Sequence, residues 1–464
     1  MGRSLRGGGG SVRGDDRTDR GPEAMLNRLD LRGVADPRPL LPRPVDGSDD
    51  STSGALGVVR TIIAAVRAEG DTALRRFTAE FDGVSLDDLR VAPEVCVAAL
   101  ESIDPSLRAA LEVAADNITS FHRDQVRPDH EWERGGIYVR GRTVPVARAG
   151  CYVPGGRGAY PSTVLMTAIP ARVAGVDEVV LCVPPDRATG AVSPVVLAAA
   201  AVAGVDEVYA VGGAQAIAAM AYGTETLRPV DVICGPGNLY VALAKREVAG
   251  AVGIAAAFAG PSEIVVVADE STPVDAAAVD VMVQAEHGPD GLAWLITWSA
   301  EVADAIDTAI TTRVADAPRR DEIAATLSSN GWLAIVDGPI EAVELANLIA
   351  PEHLQLMCEG ADDLADSVRN AGAVFCGPLA PASFGDYVAG PSHVLPTHGS
   401  ARFGSALTVD DFTKQVHIVT VDSDGFATYG PVVEALAVAE GFEAHADSVR
   451  VRREATSPQA PTEP

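Results

Sequence analysis

Eight histidines occur in 464 residues, and three draw attention among those that stand within two residues of a carboxylate, close to a helix-breaking or chain-reversing residue. They are His287 in Gln284-Ala285-Glu286-His287-Gly288-Pro289, His353 in Pro351-Glu352-His353, and His445 in Glu440-Gly441-Phe442-Glu443-Ala444-His445. Imidazole is the commonest metal ligand and the side chain best poised to move protons near neutral pH. Such pairing at element ends points to a metal-assisted or acid–base site gathered from distant parts of the chain.

Each segment also has a structural reading. Gln284 and His287 are three apart at the end of an expected helix, so they share a face at a rim that Gly288-Pro289 closes. They could hold a metal or substrate, or His287 could simply meet the negative end of the helix dipole. Glu352-His353 precedes an expected strand, where a loop junction lets both reach one cleft and perform two successive proton transfers. The alternative is a hydrogen-bonded histidine at a strand start. Asp386, in the loop Ser383-Phe384-Gly385-Asp386-Tyr387, could offer a metal an oxygen or close an Asx-turn. Glu440 and His445 flank Gly441, where the last long helix ends, and a solvated helix terminus is the alternative there. Two glycine turns, Pro154-Gly155-Gly156-Arg157-Gly158 and Gly235-Pro236-Gly237-Asn238, suit phosphate binding. Neither completes G-x-G-x-x-G, since Tyr240 stands where the third glycine belongs.

The elements that must position these residues are clearest in the middle of the chain. Ala174-Gly-Val-Asp-Glu-Val179 recurs 29 residues later as Ala203-Gly-Val-Asp-Glu-Val208, each copy ending an Ala/Val-rich helix and opening a strand. A third unit runs from the helix Ala214–Tyr222 to the strand Val230–Cys234. Val-rich strands without polar alternation mean a parallel sheet covered on both faces, so 141–261 reads as a Rossmann-like layer. Helix–strand alternation then continues through 264–268, 293–298, 332–336, 354–357 and 373–376, a second parallel layer. In such sheets ligands are expected outside the carboxyl ends of strands, where the strand order switches. Upstream, 53–80 and 93–122 read as helices and 138–149 as strands. Beyond Thr408 the pattern gives helices at 409–416 and 426–439, an appendage suited to packing on another subunit. The fold class is therefore α/β, with two Rossmann-like layers and a C-terminal helical tail. The segments are a disordered extension (1–24), a discontinuous first domain (25–140 with 262–395), a nested layer (141–261), a tail (396–452) and a frayed end (453–464).

Composition narrows the partners. The net charge of −28 repels phosphate backbones and anionic membranes, which argues against nucleic acid and membrane partners. No long apolar run indicates a membrane span, and the first 24 residues lack a secretory pattern, so a cytoplasmic location is expected. Six scattered cysteines without a CxxC pair make a thiolate zinc site a poor reading.

Taken in order, the motifs resemble one family, histidinol dehydrogenase. The resemblance spans about Met25 to Val451 and rests on Tyr152-Val-Pro-Gly-Gly156, Val211-Gly-Gly-Ala-Gln215, Gly235-Pro-Gly-Asn238, Gly260-Pro-Ser-Glu263, Gln284-Ala-Glu-His287, Pro351-Glu-His353, Gly385-Asp-Tyr387 and His393-Val-Leu-Pro396. It implies oxidation of L-histidinol to L-histidine with two NAD+. By resemblance, Gln284, His287, Asp386 and His445 are zinc ligands, with His445 supplied by the partner of a domain-swapped homodimer. Glu352 and His353 are the acid–base pair. Ser262, Gln284, His287, His353, Asp386, Glu440 and His445 contact substrate, while Tyr152, Gln215 and Asn238 contact NAD. His398 stands where a small or polar residue is expected, and no role follows for it. The alternatives are a zinc hydrolase, a one-step NAD alcohol dehydrogenase and, in another class, a bilobal solute-binding protein. The Glu352-His353 pair speaks against the last, since binding alone does not require it.

Overall fold

The structure, a computed structural model, describes residues 18–19, 24–42, 50–156, 158–255, 262–287 and 291–456. Most of the expected extension, the Gly288-Pro289 stop and residues 457–464 lie outside these. Compactness divides the chain into two units: Met1–Gln125 with Val146–Phe412, and Val126–Pro145 with Thr413–Pro464.

The first unit carries two sheets. A six-stranded sheet runs in the order Gly253–Ile254, Val232–Cys234, Arg148–Tyr152, Glu178–Cys182, Glu207–Tyr209 and Arg90–Val91, parallel except for the last strand. The two Ala-Gly-Val-Asp-Glu-Val copies build the same corner twice. Gly175 and Gly204 take φ of 90° and 66°, which glycine alone adopts cheaply. Val176 N–H then bonds Ala171 O at 3.1 Å and Val205 N–H bonds Ala200 O at 2.9 Å, closing each helix in a Schellman-like turn. Arg148, Glu178 and Glu207 each lead a strand, and the buried Arg148 guanidinium bonds both carboxylates. Their mutual neutralisation lets charge sit beneath an apolar sheet.

The second sheet has the order Thr18–Asp19, Asn27–Asp30, Gly331–Ile335, Leu292–Thr297, Glu263–Ala268, His353–Met357 and Ala373–Cys376. All of its pairs except the first are parallel. Strand Glu263–Ala268 is buried at every position, as its unbroken apolar run after Glu263 requires. The chain builds outward from it through Leu292–Thr297 to Gly331–Ile335, then returns to its other side with His353–Met357. The order therefore switches between Glu263–Ala268 and His353–Met357.

The second unit is an antiparallel sheet of Thr413–Val421, Ile137–Pro145 and His130–Arg134, with helices Ser423–Ala439 and Glu443–Thr456 packed on each other. Among its described residues the buried apolar side chains are Ala437, Ala446 and Val449. Trp132, Tyr138, Val419, Leu436 and Phe442 are exposed.

Several elements differ from the sequence reading for local reasons. The helix expected over 93–122 is two, Pro93–Ser102 and Pro105–Asp124, because Pro105 cannot continue a helix and Asp104 caps the next one through Ser106 N–H. The helix expected over 53–80 breaks at Gly70, at φ 55°. The strands expected over 138–149 divide between two sheets, Ile137–Pro145 and Arg148–Tyr152. The helix expected over 409–416 is a short 3-10 turn, Val409–Phe412, followed by the strand Thr413–Val421. The tail is therefore not wholly helical. Six β-branched residues of that strand, at 413, 416, 418, 419, 420 and 421, favour an extended chain once Ile137–Pro145 offers an edge.

Gly235 is the tightest turn position. Its φ is 101°, and a Cβ would fall against the carbonyl oxygen of Tyr152. Gly250, at φ 95° with nothing within 4 Å, has the same backbone strain without the clash. Gly235→Ala is expected to lower unfolding free energy by at least about 2 kcal/mol and Gly250→Ala by about 1 kcal/mol. Urea denaturation checks this; equal losses would show that the close approach to Tyr152 costs nothing.

Candidate active site

Two groups of polar residues collect at opposite ends of strands. In the six-stranded sheet the strand order switches between Arg148–Tyr152 and Val232–Cys234, and both strands end in the glycine turns at their carboxyl ends. Tyr152 is buried, and its hydroxyl accepts the Gly213 N–H at 3.0 Å. Gln215, 1% exposed, leaves Oε1 buried without a hydrogen-bond partner. Asn238 caps the helix Leu239–Val248 by accepting Val241 N–H at 3.1 Å, which leaves its side chain exposed at that helix's positive end. Lys245, one of two lysines in the chain, lies buried beneath this turn and donates to the Gly235 carbonyl. Burial pushes its pKa down to about 8.

The second group lies at the amino ends of the seven-stranded sheet. This corrects the expectation that site residues gather at carboxyl ends; only the six-stranded sheet obeys it. Ile264 pairs with His353, so Glu263 and Glu352 meet one residue earlier on adjacent parallel strands. Glu263 N–H donates to Glu352 Oε2 at 2.9 Å. His353 Nδ1 lies 3.0 Å from the Glu263 carbonyl, which can only accept, so Nδ1 carries a proton and, in the neutral ring, Nε2 is the basic nitrogen. Glu352 and His353 are both buried, with Oε2 and Nδ1 3.5 Å apart.

Asp386 reaches the same imidazole from the short helix Ala382–Tyr387. That helix comes close because Gly385 has no side chain: a Cβ there would lie 2.5 Å from the Phe375 ring, which itself stacks near His353. Asp386 Oδ1 is then 3.4 Å from His353 Nε2, a charge contact beyond good hydrogen-bond length. Burial opposes the imidazolium, but the Glu352 and Asp386 carboxylates outweigh it and raise the His353 pKa to about 10. His393 ties the loop in place, with Nδ1 2.8 Å from the Asp386 carbonyl and Nε2 3.1 Å from Thr163 Oγ1.

Gln284 opens the 3-10 turn Gln284–His287, where the sequence reading continued the preceding α-helix through His287. It is 1% exposed, and both amide atoms are buried without a partner. The His287 side chain lies outside the described residues. Ser262 immediately precedes the strand Glu263–Ala268, and its carbonyl accepts Leu292 N–H at 3.1 Å. Glu440 and His445 belong to the second unit, at the end of Ser423–Ala439 and the start of Glu443–Thr456, and both are exposed.

Among the described residues, no three His, Cys, Asp or Glu side chains come together closely enough to hold a metal. The buried amide of Gln284 nonetheless fits a metal ligand: its oxygen has no protein donor, and an unmet buried polar atom is costly unless something binds it. A Gln, Asp and His donor set suits a zinc-like cation.

The structure therefore joins Glu352, His353 and Asp386 directly, and adds Glu263, which sequence reasoning passed over. The available signal was a carboxylate heading an otherwise apolar strand, Glu263-Ile-Val-Val-Val-Ala268. An α/β enzyme with a buried Glu–His pair is what this fold and site define. The family model described as Histidinol dehydrogenase matches residues 46–453. Histidinol dehydrogenase from Moorella thermoacetica is 48% identical over 86% of this chain and 95% of its own length. The Rhizobium meliloti histidinol dehydrogenase is 45% identical over 92% of this chain and 98% of its own length. The crystal structure of histidinol dehydrogenase from Elizabethkingia anophelis superposes with a TM-score of 0.87 at 34% identity, covering 93% of this chain and 99% of that one. The chain belongs to the histidinol dehydrogenase family, a family of NAD-dependent oxidoreductases.

Replacing an unpaired buried amide by an apolar chain of similar shape removes a desolvation cost. Gln284→Met is expected to raise the unfolding free energy of the chelator-treated protein by about 1–2 kcal/mol, measured in urea. A loss of stability would mean that the amide is satisfied within the protein.

Proposed function

We propose that this chain oxidises L-histidinol to L-histidine through a retained L-histidinaldehyde, with two NAD+ consumed, as the last steps of histidine biosynthesis. The observation that carries the reading is the buried Glu352–His353 pair, held by one residue's main chain with Asp386 against the imidazole, in a member of this family.

Gln284, His287 and Asp386, with His445 of the partner subunit, would hold zinc; Ser262 and Glu440 would contact the substrate beside them. Tyr152, Gln215 and Asn238 would contact NAD+, at a switch point and a helix amino end suited to a pyrophosphate. When bound, NAD+ supplies the hydride acceptor for each oxidation, and zinc supplies a cation for the substrate's imidazole and amine. A positive group beside Asp386 would offset that carboxylate and weaken the hold of His353 on its second proton.

His353 Nε2 takes the alcohol proton as hydride leaves the neighbouring carbon, giving the aldehyde. Its proton passes to solvent before the second step. Glu352 takes a proton from water as the water oxygen bonds to the aldehyde carbon, and the former carbonyl oxygen then takes up that proton, giving the neutral hydrate. His353 then takes a hydrate proton as the second hydride leaves, and the carboxylic acid results. Keeping both steps in one pocket shields the aldehyde from side reactions.

The homodimer is part of the proposal. Few apolar side chains are buried within the second unit while Trp132, Val419, Leu436 and Phe442 stay exposed, which suits cover by a second copy. No described helix is long and apolar enough to cross a membrane, and all six cysteines are free thiols. The thiols suit a reducing compartment, and the cytoplasm is the proposed location.

Limiting L-histidinol with excess NAD+ is expected to yield two NADH per substrate, a yield abolished by a strong chelator and restored by zinc. One NADH per substrate would indicate a one-step alcohol dehydrogenase; indifference to the chelator would remove zinc from the account.

A further inference from the structure

One buried carboxyl at the centre of the site has no part in the chemistry above. Glu263 is 4% exposed and touches every component of the pair. Its N–H donates to Glu352 Oε2 at 2.9 Å, and its carbonyl accepts from His353 Nδ1 at 3.0 Å. Its side-chain Oε1 accepts the His398 N–H at 3.0 Å, while Oε2 is buried without a partner. His398 has φ 53°, a left-handed conformation uncommon for a non-glycine residue. The backbone at His398 is thus turned toward Glu263.

We propose that Glu263 is a positioning residue of the reaction centre: its main chain orients Glu352 and His353, and its side chain anchors the His398 loop. The inference rests on the proposed oxidation of histidinol at this site. Two carboxyls on adjacent parallel strands repel when both are charged, and no Lys or Arg ion pair is found for either among the described residues. Burial first, and the Glu352 charge second, raise the Glu263 pKa to about 8, opposed by the His398 and Glu352 main-chain contacts and by His353. The groups facing it are Glu352 and His353 from the neighbouring strand and the His398 N–H from the loop. Below that pH, Oε1 serves His398 while Oε2 carries the proton. Above it, a second negative charge enters the site and strengthens the hold of His353 on its proton.

The test uses the full-length zinc-loaded protein, its Glu263→Gln and Glu263→Ala variants, and rates with L-histidinol from about pH 6 to about pH 10. Glutamine keeps the acceptor for His398 and cannot ionise. Near pH 7 it is expected to lower kcat about threefold with KM for NAD+ unchanged, whereas alanine lowers kcat at least about thirtyfold. The unaltered protein loses kcat as pH rises through about 8, and Glu263→Gln lacks that loss. A Gln variant as slow as the Ala variant overturns the proposal, and so does one that keeps the alkaline loss. Should neither variant fold, infrared titration of the unaltered protein decides: a carboxylic-acid band must disappear between about pH 7 and about pH 9, and its absence at the lower pH overturns the proposal. Failure of the unaltered protein to oxidise L-histidinol at any pH contradicts the functional reading instead, and the infrared titration still decides the state of Glu263.

Discussion

Two parallel strands, Glu263–Ala268 and His353–Met357, lie side by side with Ile264 opposite His353, and this register decides which polar groups meet. A shift of one residue would turn the His353 ring to the other face of the sheet and separate Glu352 from the Glu263 N–H. The register is itself fixed by the apolar residues that follow. Val265, Val267, Leu354 and Leu356 fill one face of the sheet, and Ile264 and Val266 fill the other. Hydrophobic burial along the strands therefore specifies a polar geometry at their amino ends that polar contacts alone could not hold against water.

The same logic divides labour between the sheets. In the six-stranded sheet, charge is neutralised at the amino ends by Arg148 with Glu178 and Glu207, which leaves the carboxyl ends to the glycine turns. In the seven-stranded sheet the amino ends carry the carboxylates and imidazole. The helix Pro161–Val173 links the two, because Thr163 meets His393, whose other nitrogen bonds the Asp386 carbonyl. Residues assigned to cofactor and to chemistry thus belong to two cores joined through a half-buried histidine whose pKa desolvation lowers.

Much of this was legible in the sequence because its causes are local. The repeated Ala-Gly-Val-Asp-Glu-Val corner contains its own cap and strand start, and the Val-rich strands announce a sheet covered on both faces. Glu352-His353 stood out through residue type and adjacency. What stayed hidden depends on distant partners. Thr413–Val421 becomes a strand only against Ile137–Pro145, more than two hundred residues earlier in the chain. Strand order, which sets Glu352 and His353 beside Glu263, is invisible in any single segment. Glu263 was overlooked because in sequence it is merely the polar head of an apolar strand, and its importance lies in the main-chain bonds it makes across the sheet.

The central claim is that Glu352 and His353, adjacent in sequence and held by one register, do different work: His353 serves both oxidations, and Glu352 serves the addition of water. The direct measurement is the rate of the Glu352→Gln variant with L-histidinol and, separately, with L-histidinaldehyde. Glutamine preserves an acceptor for the Glu263 N–H but cannot take a proton from water. Aldehyde oxidation is expected to fall at least about a hundredfold while alcohol oxidation falls no more than about tenfold. Equal losses in both steps would contradict the division of roles on which the account rests.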